Sequence, residues 1–150
     1  MEFIGREKEL AQLRKVLDGI NGGRILIYGR RRMGKTTLIR KTLEETEGIK
    51  ILYTALPIDL EGNAKALGDA VLKAIGIQSL RAESIDELFS FLSTRNERIT
   101  IAIDEYQDMK KRADSDYVDA LFRTAIDNLP ANISIILSGS SIRLMKALLD

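Results

Sequence analysis

Gly29-Arg30-Arg31-Arg32-Met33-Gly34-Lys35-Thr36 is the segment of this chain whose residue types and spacing most directly imply chemistry. The two glycines let the backbone turn through positive φ and come close to a ligand that a Cβ would repel. Lys35 supplies a mobile positive charge for β and γ phosphates. Thr36 offers a hydroxyl to a magnesium ion that also holds nucleotide oxygens. The apolar run Ile25-Leu26-Ile27-Tyr28 leads into the loop, and a helix is expected to open at Lys35. Backbone N–H groups and a helix N-terminus are thereby aimed at one place. The pattern reads as a nucleoside-triphosphate site with contacts from Gly29 through Thr37. Arg30, Arg31 and Arg32 fill its variable positions beside Met33, either as phosphate or partner contacts through forked donors or as a solvated basic loop.

A second group of chemical residues closes another apolar run, Ile99-Thr100-Ile101-Ala102-Ile103-Asp104-Glu105. Open α/β sheets bind ligands at the carboxyl ends of their strands, where this carboxylate pair falls. Asp104 would hold the magnesium, directly or through water. Glu105 would orient and deprotonate the attacking water. A third run, Ser134-Ile135-Ile136-Leu137-Ser138-Gly139-Ser140-Ser141, turns polar only at its end. Ser140, with Ser138 as second choice, could meet a γ-phosphate or the water; an ordinary Ser/Gly turn capping a helix at Ser141 explains the same residues.

These groups need a scaffold that brings strand ends together. Arg24–Gly29, Lys50–Leu56, Ile99–Glu105 and Ser134–Ser140 are almost continuously apolar, as strands buried on both faces of a parallel sheet are. Helical patterns separate them: Arg6–Asp18, Lys35 to about Glu47, Asn63–Ile75, a capping box at Ser84-Ile85-Asp86-Glu87, and Asp116–Asn128 before Pro130. This alternation predicts an α/β domain with helices on both faces of its sheet. A last helical pattern begins after Ser141 and runs to the end of the sequence.

Composition narrows the chemistry further. At 150 residues with 45% hydrophobic, the chain is one domain with a sizeable core. With neither cysteine nor histidine, a disulfide framework, a thiolate zinc site and histidine base catalysis are excluded. Catalysis rests on carboxylates, Lys, Arg and hydroxyls. Lysine plus arginine number 23 against 22 acids, so no global charge favours nucleic acid or membranes. Lys110-Lys111-Arg112 is diluted by Asp108, Asp114 and Asp116 and reads as a solvated turn. No apolar run reaches membrane-span length and no signal-peptide core opens the chain, which predicts a cytoplasmic protein. Charged residues at 30%, with no Cys, His or Trp, match compositions favoured in thermophiles.

Four motifs together, Phe3-Ile4-Gly5-Arg6-Glu7, Tyr28 through Thr36, Asp104-Glu105-Tyr106-Gln107 and Leu137-Ser138-Gly139-Ser140-Ser141, resemble the archaeal ATPase family, a STAND-type relative of AAA+ ATPases. The resemblance covers nearly the whole chain. It implies a three-layer α/β/α P-loop fold of the additional-strand type, with sheet order 5-1-4-3-2. It also implies ATP and Mg²⁺, adenine near Phe3, Ile4 and Arg6, Glu105 as catalytic glutamate and a sensor on the last strand. Such proteins continue into a fifth core strand, a helical lid and further regions through which DNA or protein partners would act. The sequence is therefore expected to be a truncated ATPase core of low turnover, with the outer edge of Arg24–Gly29 exposed for self-association. A nucleotide-gated module without catalysis, and a GTPase or small-molecule kinase on the same loop, stand as alternatives. No Asn-Lys-x-Asp guanine motif is present. Insertion of the last strand between the loop strand and the Asp104 strand would separate the ATPase reading from the GTPase or kinase one.

Overall fold

The computed structural model describes residues 2–4, 15, 22–29, 34–78, 82–140 and 142–148. The expected helix over Arg6–Asp18, apart from Lys15, the loop interior from Arg30 to Met33, and Ser141 lie outside the described residues. The strands are β1 (Glu2–Ile4), β2 (Arg24–Tyr28), β3 (Ile49–Thr54), β4 (Ile99–Asp104) and β5 (Ile133–Gly139). They form one parallel sheet in the order β1-β2-β5-β4-β3. The four strands read from the sequence are all present within two residues at each end. The last of them lies between the loop strand and the Asp104 strand, in the additional-strand order. That arrangement disfavours the GTPase or kinase reading.

Every residue of β4 and β5 is buried, as their unbroken apolar runs require. Alternate residues of these strands divide two cores. Ile101, Ile103, Ile135 and Leu137 pack with Leu67 and Val71 of α2 (Leu60–Ile75), Leu88 and Phe89 of α3 (Ile85–Ser93) and Phe122 of α4 (Ser115–Asp127). On the opposite face Ala102 and Ile136, with Ile25 and Ile27, meet Ile39 and Leu43 of α1 (Lys35–Glu45). Each such side chain, fully buried, contributes about 1.5–3 kcal/mol. Phe122 also stacks edge-on against Phe89 and Tyr106, at centroid distances of 5.9 and 5.1 Å. A short α5 (Ile142–Lys146) follows β5. No helix among the described residues is long and apolar enough to cross a membrane.

Local chemistry fixes where the elements start and stop. Asp59, Ser84 and Asp114 cap α2, α3 and α4 by accepting from the backbone N–H of Gly62, Glu87 and Tyr117. At Ser84 the box is offset: the Glu87 carboxylate takes the N–H of Glu83. Gly76 ends α2 with φ 81°. Arg24 seals the far end of the sheet, its guanidinium donating to the carbonyls of Ile126, Leu129 and Ile133. Gly48, with φ +95°, enters β3 so tightly that a Cβ would lie 2.4 Å from the Arg98 carbonyl oxygen. Gly48→Ala is expected to cost about 1–3 kcal/mol. A lowered urea midpoint with unchanged slope is the measurement; an unchanged midpoint would show that Arg98 gives way freely.

Two expectations are corrected. The outer edge of β2 is not open, because Glu2, Phe3 and Ile4 pair in parallel with Ile25, Leu26 and Ile27 and satisfy its backbone groups. Of the basic run, Lys111 and Arg112 are exposed in a turn as expected, whereas Lys110 is not. Residues Tyr106–Lys110 form a 3₁₀ helix whose five side chains are all buried.

Candidate functional site

The carboxyl ends of β2, β4 and β5 converge beside the first turn of α1. Gly29 N–H donates to the Gly139 carbonyl at 3.2 Å, joining the start of the phosphate loop to the end of β5. Gly34 sits at the N-cap of α1 with φ 81° and provides no side-chain cap. The first-turn N–H groups of α1 are thus left to backbone, solvent or ligand. Lys35 and Thr36 project from this turn toward β4.

Asp104 is the hub, 2% exposed. Its Oδ2 accepts from the Thr36 hydroxyl at 2.6 Å, and its Oδ1 from the Ser138 hydroxyl at 2.5 Å and the Glu105 N–H at 3.0 Å. Two hydroxyls and an amide hold a buried carboxylate in one orientation. Lys35 is also buried. Its Nζ lies 3.6 Å from Glu105 Oε1 and has no hydrogen-bond partner among the described residues. An ammonium with three donors, sequestered in this way, suits a multiply charged oxyanion ligand.

Glu105 carries φ 55° and ψ 45°, the one left-handed conformation among the described non-glycine residues. A side chain there costs about 1–3 kcal/mol and such outliers cluster at functional sites. Its Oε2 accepts from Gln107 Nε2 at 2.5 Å; that same nitrogen donates to the Ser140 hydroxyl at 3.0 Å. The structure therefore brings Lys35, Thr36, Asp104, Glu105 and Ser140 into one cluster. Ser138 is wholly buried and committed to Asp104, which separates its place from that of Ser140 at the strand end. Thr37 is exposed on α1. Phe3 and Ile4 are placed only as backbone of β1. Arg6, Arg30, Arg31, Arg32 and Met33 fall outside the described residues.

The donor set fits a magnesium nucleotide. No cluster of three or more acidic, cysteine or histidine side chains that could cage a metal occurs among the described residues. Magnesium bound through one carboxylate, one hydroxyl, waters and phosphate oxygens needs none. Asp104 and Thr36, already 2.6 Å apart, are the residues that would hold it.

Sequence reasoning missed a second buried cluster directly after Glu105. Asp119 of α4 accepts from the Tyr106 hydroxyl at 2.8 Å, and both its oxygens accept from Lys110 Nζ at 3.1 Å. Lys110 Nζ also stands 5.4 Å from the Tyr106 ring centre. Burial, then the charge of Asp119, pushes the phenol well above its ordinary range, so it remains a donor. The only sequence signal was that Lys110 and Asp119 are of opposite charge. Gln107 was also without an assigned role, although it follows the acidic pair by two residues.

Several archaeal proteins share this pattern. An uncharacterized protein of Methanocaldococcus jannaschii is 34% identical over 145 residues, 95% of this chain and 30% of that protein. A Walker-type ATPase of Pyrococcus abyssi superposes with a TM-score of 0.65 at 27% identity, over 96% of this chain and 47% of that one. Cdc6p of Pyrobaculum aerophilum shares the fold with a TM-score of 0.65 at 18% identity, over 94% of this chain and 40% of its own. The chain thus spans less than half the length of each. The model of an ATPase domain found predominantly in Archaea matches residues 3–150, and with a P-loop fold and strand-end cluster of this kind the chain belongs to that family of nucleotide-binding domains.

Proposed function

We propose that this domain binds ATP with Mg²⁺ and hydrolyses it. The observation that carries the proposal is the meeting of Lys35 and Glu105, at 3.6 Å, beside an Asp104 carboxylate already bonded to Thr36. Those residues supply a phosphate cation, a water-activating carboxylate and a magnesium anchor within one strand-end cluster.

The chemistry follows from their positions. Phosphate oxygens entering over the α1 N-terminus would replace Glu105 as the partner of Lys35, whose charge then offsets the β and γ phosphates. Glu105, released from that ion pair, would accept the proton of a water attacking the γ-phosphorus. The new P–O bond forms as the bond to the β–γ bridging oxygen breaks, and ADP leaves. The Ser140 hydroxyl at the end of β5 would donate to a γ-phosphate oxygen. Magnesium, when bound through Asp104 and Thr36, supplies further neutralisation of phosphate charge. The adenine is assigned to the Phe3, Ile4 and Arg6 segment on the family resemblance. The work coupled to hydrolysis, on DNA or on a protein partner, is proposed on that resemblance alone.

Mg·ATP at about a hundred times its dissociation constant should add ~2.7 kcal/mol of stability. For a domain of this size that is a rise in Tm of roughly 5–10 °C. The shift should be accompanied by slow release of inorganic phosphate. A shift without phosphate release would favour the nucleotide-gated, non-catalytic module; neither shift nor release would sink the proposal.

A further inference from the structure

We propose that Gln107 is a positioning residue that ties Glu105 and Ser140 together, so that the carboxylate and the strand-end hydroxyl act as one unit; the inference rests on the ATPase reading above. Gln107 is 6% exposed and uses both ends of its carboxamide. Nε2 donates to Glu105 Oε2 at 2.5 Å and to Ser140 Oγ at 3.0 Å, while Oε1 accepts from the Ser140 N–H at 3.4 Å. Chemistry fixes the orientation of the amide. Reversed, it would set a carbonyl oxygen against the Glu105 carboxylate and an NH₂ against a backbone N–H.

The surrounding backbone makes room for this bridge. At Gly139 a Cβ would lie 2.6 Å from Gln107 Oε1 and 2.6 Å from Met145 Sδ, so any side chain there would displace the carboxamide. The left-handed turn at Glu105 opens the 3₁₀ helix on which Gln107 sits two residues later. A strained residue, a glycine and a buried amide thus converge on one contact.

The bridge divides the two oxygens of Glu105. Oε1 faces Lys35 at 3.6 Å and Oε2 is held by Gln107. When phosphate takes Lys35, Oε2 stays on the amide and holds the carboxylate in place. Ser140 is bonded to the same amide, so its engagement with a γ-phosphate is felt at Glu105 through a single side chain. Gln107 itself touches neither phosphate nor water in this scheme.

Gln107→Met keeps the length and buried shape without donors, and Gln107→Glu keeps the shape while setting a like charge beside Glu105. Both are expected to bind Mg·ATP within about threefold of the parent and to lose about 10²-fold in single-turnover hydrolysis, the scale of a slightly misplaced group. Adding Ser140→Ala to Gln107→Met should cost little more than either alone. Hydrolysis at the parent rate in Gln107→Met, or affinity and rate falling together, overturns the proposal. Glu105→Gln run alongside separates the two levels: if that variant still hydrolyses ATP, the base assignment has failed and the coupling with it. If it is inactive and Gln107→Met is not, the coupling alone has failed. In nucleotide-free protein the Gln107 side-chain amide resonances should move on both Ser140→Ala and Glu105→Gln. Amide signals indifferent to both changes overturn the bridge even where no hydrolysis can be measured.

Discussion

Glu105→Gln is expected to bind Mg·ATP as the parent does and to lose hydrolysis by about 10²–10⁴-fold, while Lys35→Ala loses nucleotide binding itself. The split follows from what each atom faces. Lys35 Nζ is buried and, among the described residues, has the 3.6 Å contact to Glu105 to offset its charge, so its removal takes away the cation that a triphosphate requires. Glu105 contributes an oxygen to the proton transfer rather than to the phosphate contacts, and the amide of Gln keeps its shape but cannot accept that proton. Titration with a fluorescent ATP analogue gives the affinities, and single-turnover phosphate release gives the rates. Equal hydrolysis in parent and Glu105→Gln would dismiss the base; unaltered affinity in Lys35→Ala would dismiss the phosphate role.

Asp119→Leu should be the most destabilising substitution in the second buried cluster, by about 3–5 kcal/mol. Asp119 is 3% exposed and holds Lys110, itself 7% exposed, through both oxygens, together with the Tyr106 hydroxyl. Removing the carboxylate takes the charge of Asp119 away from a buried ammonium and the acceptor from a buried phenol. At roughly 2–4 °C per kcal/mol for a domain of this size, Tm should fall by about 10 °C. The companion variant Asp119→Leu with Lys110→Met is expected to recover the part of that loss that comes from the ammonium, because apolar groups of similar size replace the pair, and to leave the cost of the Tyr106 hydroxyl. A single Asp119→Leu within about 1 kcal/mol of the parent, measured by urea unfolding, contradicts the argument.

How legible each of these features was depended on whether its cause is local. β4 and β5 announced themselves because a strand buried on both faces must be apolar at every position. The cap at Ser84 was equally local, and the phosphate loop carries its meaning in its own backbone. β1 gave no signal: three residues show no periodicity, and their partner lies more than twenty residues on. The 3₁₀ helix after Glu105 was invisible for a related reason, since a short i to i+3 turn imposes no apolar repeat. Lys110 was misread because a basic run ordinarily means solvent. Asp119, nine residues away on another helix, makes burial affordable only in three dimensions. Gln107 needed the reversed turn at Glu105 and the bare Cα of Gly139 before its amide could matter.

The insertion of β5 between β2 and β4 also sets the order in which this protein can be made. Gly23, just before β2, donates to the Ser134 hydroxyl across 111 residues of chain. At a synthesis rate of about 5–20 residues per second, the strand leading to the phosphate loop waits roughly 5–20 s for its inner neighbour. The strand-end cluster is completed only when β5 has emerged, and until then β2 lacks its inner neighbour.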